Sequence, residues 1–339
     1  MQPSRVDKPS EASASSNNSD QGGYFPAAYH VIEGLHVSRL FTERNLRSAM
    51  SYRPRDDDVF LVSYPKCGNT WLQKIVSAVF NCAESSGESG GAQQEELSTY
   101  LDFVGAEGAR SLARPAYIKS HLPYDKHPCS PKAKYIYITR NPYDCCVSFY
   151  YHTRGLPTYR FQDGTFDEFF DMFVEGKVDY GDYFDHLLSW YAHRDDPNML
   201  FITYEQLKKD TADWVQKIAD FLDKEQYGDR MRKHPELLKQ VLDATSLASM
   251  KAMNSMISNW TALIECVPAE GKEELMKELK DTFGDIWDVP GNGGFIRKGL
   301  VGDWKIHFNP EQIRRMKDRI ESKTRGSDVM ELWKDIDLP

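Results

Sequence analysis

Val59-Phe60-Leu61-Val62-Ser63-Tyr64-Pro65-Lys66-Cys67-Gly68-Asn69-Thr70-Trp71 decides how this chain is read. The β-branched and aromatic run Val59–Ser63 predicts a strand. A short turn with Pro65, Lys66 and Gly68 follows. Apolar residues at Leu72, Ile75, Val76 and Val79 then predict a helix over 70–80. Strand, tight loop and helix N-terminus bring backbone N–H groups and the positive end of a helix dipole to one point, which is an anion site. Lys66 adds a full positive charge there. Gly68 lets the backbone approach a phosphate with no Cβ in the way. Asn69 and Thr70 are suited to cap the first free N–H groups.

The loop lacks the G-x-x-x-x-G-K-[ST] spacing of nucleoside-triphosphate loops, in which a Ser or Thr holds Mg²⁺. Here the lysine precedes the glycine, so phosphate binding without a metal is expected. Taken alone, these residues also fit an ordinary strand-to-helix turn with a surface lysine.

Working outward, Ala116–Lys119, Lys134–Thr139 and Met199–Thr203 predict further short strands. Helices are expected over 142–152, opened by Pro142, and over 205–222, where Trp214, Ile218, Phe221 and Leu222 share a face. Strands alternating with helices predict an α/β fold: a single domain with a central, mainly parallel β-sheet flanked by helices. Ligands of such sheets bind outside the carboxyl ends of the strands. Those ends deliver Lys66, His121 and Arg140 to one rim. A histidine there can be neutral near pH 7 and accept a proton. His152, on the helix after Arg140, reads as a pocket wall; His127, His193 and His234 read as surface or packing residues.

Composition bounds the function. The chain has 339 residues, a net charge of −9 and 40% hydrophobic residues. The acidic balance argues against general nucleic-acid binding, so any anion site is a local basic pocket. Six cysteines without a C-x-x-C pair suggest neither a disulfide framework nor a zinc site. Adjacent Cys145 and Cys146 read as reduced packing in a helix, which points to an intracellular compartment. Residues 1–22 are polar, without the apolar core of a signal peptide, and are expected to be a disordered tail. No apolar run is long enough to span a bilayer. The catalytic domain is expected over 23–339, with 82–96 as a flexible loop.

Three segments, in order, resemble the cytosolic sulfotransferases. Tyr64–Trp71 resembles their Y-P-K-S-G-T-T-W loop. Tyr135–Ser148 resembles their 3′-phosphate strand and helix. Arg297-Lys298-Gly299-Leu300-Val301-Gly302-Asp303-Trp304-Lys305 resembles their R-K-G-x-x-G-D-W-K signature. Lys177–Gly181 and Leu200–Glu205 are also family-like, and the resemblance spans about residues 35–325.

The resemblance implies in-line sulfuryl transfer from 3′-phosphoadenosine 5′-phosphosulfate (PAPS), leaving the bisphosphate PAP, with no metal. It implies a catalytic set of Lys66, Lys119, His121 and Ser148, with His121 as base. The donor would be held by Lys66, Cys67, Gly68, Asn69, Thr70 and Trp71 of the loop. Arg140, Ser148, Phe295, Arg297, Lys298 and Gly299 would hold its 3′-phosphate side. Tyr204, Thr245, Ser246, Leu247 and Met250 would lie at its base. Phe41, Phe103, Lys119, His121, His152 and Tyr180 would line the pocket of a small acceptor, a phenol or catecholamine. Further implications are a cytoplasmic protein with no nucleic-acid or membrane partner, a monomer or weak homodimer, and a lid over the acceptor at 254–294, a stretch in which residues 270–279 read as helical.

Departures stand beside these matches. Cys67 replaces serine and Asn69 replaces threonine in the loop. Leu247 replaces the phenylalanine expected against adenine. The family's K-x-x-x-T-V-x-x-x-E dimer signature is broken, with Asn309-Pro310 following Lys305 and Arg314 in place of the glutamate. Two other readings stay open: a small-molecule kinase with a degenerate phosphate loop, which would need Mg²⁺ and an acidic ligand, and a non-catalytic nucleotide-binding relative, which would not need His121 and Lys66.

Overall fold

The apolar run at Val59–Val62 (β3) is buried along its whole length, as a strand covered on both faces must be. Its neighbours are Tyr117–Ser120 (β5) and Lys134–Thr139 (β6), flanked by Ser98–Tyr100 (β4) and Met199–Thr203 (β7). The sheet order is β4-β5-β3-β6-β7 and every pair is parallel. A separate antiparallel hairpin, Tyr29–Ile32 (β1) and Leu35–Ser38 (β2), turns through Glu33 and Gly34 at φ 51° and 76°. In the computed structural model the described residues are 28–84, 98–252, 264, 267–289, 291 and 296–339. The expected tail, most of the 82–96 loop, much of the 254–294 lid and Phe295 lie outside them.

Side chains alternate across each strand and so feed two cores. On one face Leu61, Ile136, Ile138 and Ile202 meet Leu72, Ile75, Val76 and Val79 of the helix Asn69–Glu84 (α2). On the other, Phe60, Val62, Tyr135 and Tyr137 meet an aromatic layer that includes Phe149, Phe173 and Trp190. The helices Glu43–Met50 (α1) and Leu101–Ser111 (α3) pack on each other, and the helix Pro142–Gly155 (α4) lies beyond the end of β6.

Two helices differ from the sequence expectation. The segment 205–222 is two helices, Tyr204–Lys209 and Thr211–Leu222, because Asp210 leaves helical geometry and caps the second by accepting from the Asp213 N–H. The helix expected over 270–279 runs Ala269–Phe283 and continues into a turn at Gly284–Asp288. Leu275, Leu279, Phe283 and Trp287 are buried in the aromatic core, and the 284–288 turn packs on the turn at Pro157–Tyr159. Among the described residues no helix is long and apolar enough to cross a membrane.

Register fixes what meets at the rim. Val62 lies opposite Ser120 and Tyr137, so β3 and β5 end level and β6 runs two residues further, to Thr139, at the same edge. Lys66, His121 and Arg140 leave the sheet from that edge. The stretch 297–308 returns over α4: the buried Asp144 carboxylate accepts the Gly302 and Trp304 N–H groups at 2.8 and 3.0 Å.

Candidate active site

The loop after β3 is held from beneath. Tyr64 is fully buried and its hydroxyl donates to the Gly181 carbonyl at 2.9 Å. Lys66 sits at φ 69° and Gly68 at φ 110°. A Cβ on Gly68 would lie 2.9 Å from Tyr204 Cδ2 and 3.2 Å from Ile138 Cδ1, so only glycine fits this close approach. Asn69 does not cap the helix. It is the first helical residue, and its buried side-chain amide donates to the Leu61 carbonyl at 3.0 Å and Ser63 Oγ at 3.3 Å. That side chain is committed to tying the loop to the strand. Thr70 is half-buried beside it. Cys67 is fully buried, its Sγ 3.7 Å from Cys145 Sγ, so its thiol faces the interior.

His121 follows β5 and is buried at 7% exposure. Its Nδ1 lies 2.6 Å from the Ser63 carbonyl oxygen. A carbonyl can only accept, so Nδ1 carries the proton and Nε2 keeps the lone pair. Burial first, then the adjacent Lys119, holds the imidazole pKa well below its ordinary value. A neutral, oriented ring results.

Beneath it lies a residue the sequence reading missed. Asp102 is fully buried; it accepts the His121 backbone N–H at 2.6 Å, the Ser120 hydroxyl at 2.7 Å and the Tyr180 hydroxyl at 2.8 Å. Burial pushes its pKa up to about 6 against these bonds. Tyr180 also bonds the Tyr100 hydroxyl at 2.9 Å. The two tyrosine rings stand edge-on to His121, each 5.5 Å from it, and Phe41 packs on both. Lys119 places its ammonium 3.9 Å above the Tyr100 ring.

Lys66 enters the same space, its Nζ 3.5 Å from His152 Nδ1. Burial, followed by repulsion from Lys119 and Arg140, lowers the Lys66 pKa to about 7. Burial lowers Lys119 to about 8 although Asp102 opposes the shift. Two lysines whose charged forms are disfavoured by burial and two neutral imidazoles therefore crowd one site.

The described residues expected around the 3′-phosphate lie just before α4, on it and on the 297–308 stretch that crosses it. Arg140 stacks over the Tyr204 ring at 4.6 Å and donates from Nη2 to the Leu300 carbonyl at 2.7 Å. Its buried Nε has no partner among the described residues. Asp144, Ser148 and His152 follow at four-residue spacing and so share one face of the helix. Arg297 and Lys298 both bond Asp303, whose carboxyl they hold below its ordinary value against the opposing effect of burial. Arg297 also lies over Tyr151 at 4.4 Å.

Around the base position, Trp71 stands edge-on to Tyr204 at 5.6 Å and donates from its indole to the Thr245 carbonyl at 3.0 Å. Ser246 caps the following turn by accepting from the Ser249 N–H. Leu247 is 36% exposed, and a Cβ on Gly299 would lie 3.1 Å from it. Met250 is buried. Trp71, Tyr204, Thr245, Leu247 and Gly299 thus share one neighbourhood, with Arg140 at its edge. Phe41 and Tyr180 are brought to His121. Phe103 is fully enclosed and its ring takes no part in these contacts; Tyr100, three residues earlier, does.

The sulfotransferase domain family matches residues 56–288 and 268–328. The chain belongs to the sulfotransferase family. Mouse sulfotransferase 2B1 is 32% identical over 306 residues, 89% of this chain and 82% of that protein. Human sulfotransferase 1C2 is 28% identical over 300 residues, 85% of this chain and 90% of its own length. Among solved structures, mouse sulfotransferase SULT7A1 complexed with PAP superposes with a TM-score of 0.68 at 29% identity, covering 91% of this chain and 98% of that one. Retinol dehydratase in complex with androsterone and PAP shares the fold, with a TM-score of 0.63 at 22% identity over 87% of this chain and 88% of that one. In this sulfotransferase, the rim of β3, β5 and β6 is where basic side chains converge.

Proposed function

We propose that this sulfotransferase moves a sulfuryl group from PAPS to the hydroxyl or amine of a small aromatic acceptor, a phenol or catecholamine, with His121 as general base. The observation that carries the reading is the fixed tautomer of His121. Its Nδ1 is bound to the Ser63 carbonyl, which leaves Nε2 to take a proton beside Lys66 and Lys119.

The residues fit a phosphosulfate nucleotide. Gly68 makes a cradle that a Cβ would fill, and Arg140 keeps a buried Nε that has no partner among the described residues and could donate to a phosphate oxygen. Lys66 and the loop N–H groups would hold the 5′ side; Arg140, Ser148, Arg297 and Lys298 would hold the 3′-phosphate. Bound there, PAPS supplies an activated sulfuryl group on a phosphate leaving group. Lys66 then neutralises charge as it develops, Lys119 stabilises the transferring group, and His121 accepts the acceptor proton. Phe41, Tyr100, Tyr180 and His152 give the acceptor side an aromatic wall with few polar groups, as small-ligand pockets have. The 267–289 segment, packed on the 157–159 turn, would cover it.

The test is transfer from radiolabelled PAPS to panels of phenols, catecholamines, aliphatic alcohols, steroids and arylamines, with and without EDTA. Phenol or catecholamine product formed regardless of EDTA is expected. Activity only with ATP and a divalent cation would replace this reading by the kinase one. Product from steroids alone would overturn the acceptor.

Nucleotide binding is also expected to take up protons. With Lys66 at about 7 and Lys119 at about 8 in the free protein, both are partly neutral in weakly alkaline solution. Phosphate oxygens beside them favour the charged forms. The complex then binds more protons than its parts, so affinity for PAP falls as pH rises through this range. Calorimetry in two buffers of different ionisation enthalpy should read an uptake of roughly one to one and a half protons at about pH 8. Near pH 6 release should take over, because the phosphate's own second ionisation lies at about 6. No uptake at the higher pH would place the lysines away from the phosphates.

A further inference from the structure

We propose that His152 is a positioning residue for Lys66: its Nδ1 lone pair holds the lysine ammonium at the transfer centre and keeps it charged. The inference rests on the role given above to Lys66.

Lys66 leaves the loop at φ 69°, which throws its side chain across the rim toward α4. There its Nζ meets His152 Nδ1 at 3.5 Å. An ammonium only donates, so a ring nitrogen facing it must present a lone pair. Either nitrogen of a neutral ring can carry the lone pair, and the contact with Lys66 selects Nδ1. Burial, then Lys66, Lys119 and His121, keeps His152 unprotonated, its pKa well below the ordinary value. The ring is held in place by Phe149 at 6.1 Å and Tyr159 at 5.8 Å. Lys119 and Arg140 also act on Lys66 by repelling its charge, and Cys145 lies near it with a thiol that burial holds un-ionised. Against two cations, His152 supplies a neutral acceptor. A hydrogen bond to the charged form favours that form. Removing it lowers the Lys66 pKa, so the lysine loses its proton, and its use in transfer, at a lower pH.

The experiment compares His152→Phe and His152→Asn with the unchanged protein, each checked for folding by its thermal melt. Both kcat/KM for PAPS and the dissociation constant of PAP are followed across pH. In His152→Phe the alkaline fall should begin about one pH unit earlier in both, so that, from a Lys66 pKa of about 7, the ratio of rates at about pH 8.5 and 6.5 drops roughly threefold. His152→Asn, whose side-chain oxygen also accepts, should recover most of that ratio. A loss equal at every pH, a shift toward higher pH, or an asparagine variant no better than the phenylalanine one would each overturn the proposal. The PAP measurement needs no turnover. If the unchanged protein binds PAP but transfers nothing, the functional reading fails, while the pH shift in PAP affinity still decides the role of His152.

Discussion

His121→Ala is expected to lose about 10²–10⁴-fold in turnover while keeping its affinity for PAP, the usual effect of deleting a positioned base. The separation of the two effects follows from geometry. The imidazole is fixed by the Ser63 carbonyl at 2.6 Å and by the edges of Tyr100 and Tyr180, none of which belongs to the phosphate loop. Its backbone is pinned separately, through the N–H to Asp102 and through its carbonyl, which accepts from His186 Nε2 at 2.9 Å. Alanine keeps those backbone bonds, so the strand end stays in place while the base is gone. The pH profile supplies a second reading. A base works only when deprotonated, and the pKa of His121 lies well below 6.5. Turnover of the unchanged protein should therefore persist on acidification past the range where an ordinary histidine would stop. A variant with near-normal kcat, or an acid limb at an ordinary histidine pKa, removes His121 from the base role.

Much of this was legible in sequence because the deciding elements are local. Val59–Val62, Tyr135–Ile138 and Met199–Ile202 are uninterrupted apolar or aromatic runs, as parallel strands covered on both faces require. Since each ends in a distinctive residue pattern, the shared rim of Lys66, His121 and Arg140 followed from topology. What escaped was set by tertiary partners. The 29–38 hairpin is two four-residue strands, each too short for a period. Asp102 sits in the apolar stretch Tyr100-Leu101-Asp102-Phe103-Val104. A lone carboxylate there was the available signal, since a buried charge needs partners. Its three donors, however, come from Ser120, His121 and Tyr180, which sequence distance conceals. Asn69 was read as a cap from its position before a helix. The short turn instead starts the helix on it and sends its amide back to Leu61 and Ser63.

The Lys66–His152 contact was likewise hidden, since each residue looked locally like something else. The consequence runs from fold to chemistry. The strand ends deliver Lys66, Lys119 and Arg140, and the α4 face carrying Asp144, Ser148 and His152 borders them, so one trough gathers three basic side chains. Burial disfavours the charged forms of its two lysines, and the same burial would strengthen their attraction to a dianion.

Arg140→Ala should act at the other end of that trough and on the donor alone. A hydrogen bond to a charged group contributes about 1.5–3 kcal/mol, so removing the guanidinium should weaken PAP and raise the KM for PAPS roughly 10- to 100-fold. The acceptor KM should hold. One complication is that Arg140 also stacks on Tyr204 and bonds the Leu300 carbonyl, so its loss could loosen the 297–308 segment. Asp144 limits this, because it still fixes Gly302 and Trp304 through their N–H groups. A nucleotide lacking the 3′-phosphate, adenosine 5′-monophosphate, separates the two causes. If Arg140 reads the 3′-phosphate, the unchanged protein and the variant bind this nucleotide alike, and the penalty appears only with PAP. Arg140→Lys should recover part of the loss but not all, since an ammonium lacks the planar fork that engages two phosphate oxygens at once. Equal weakening of both nucleotides would instead make Arg140 a strut for the adenine side, and the 3′-phosphate would have to be sought at Arg297 and Lys298.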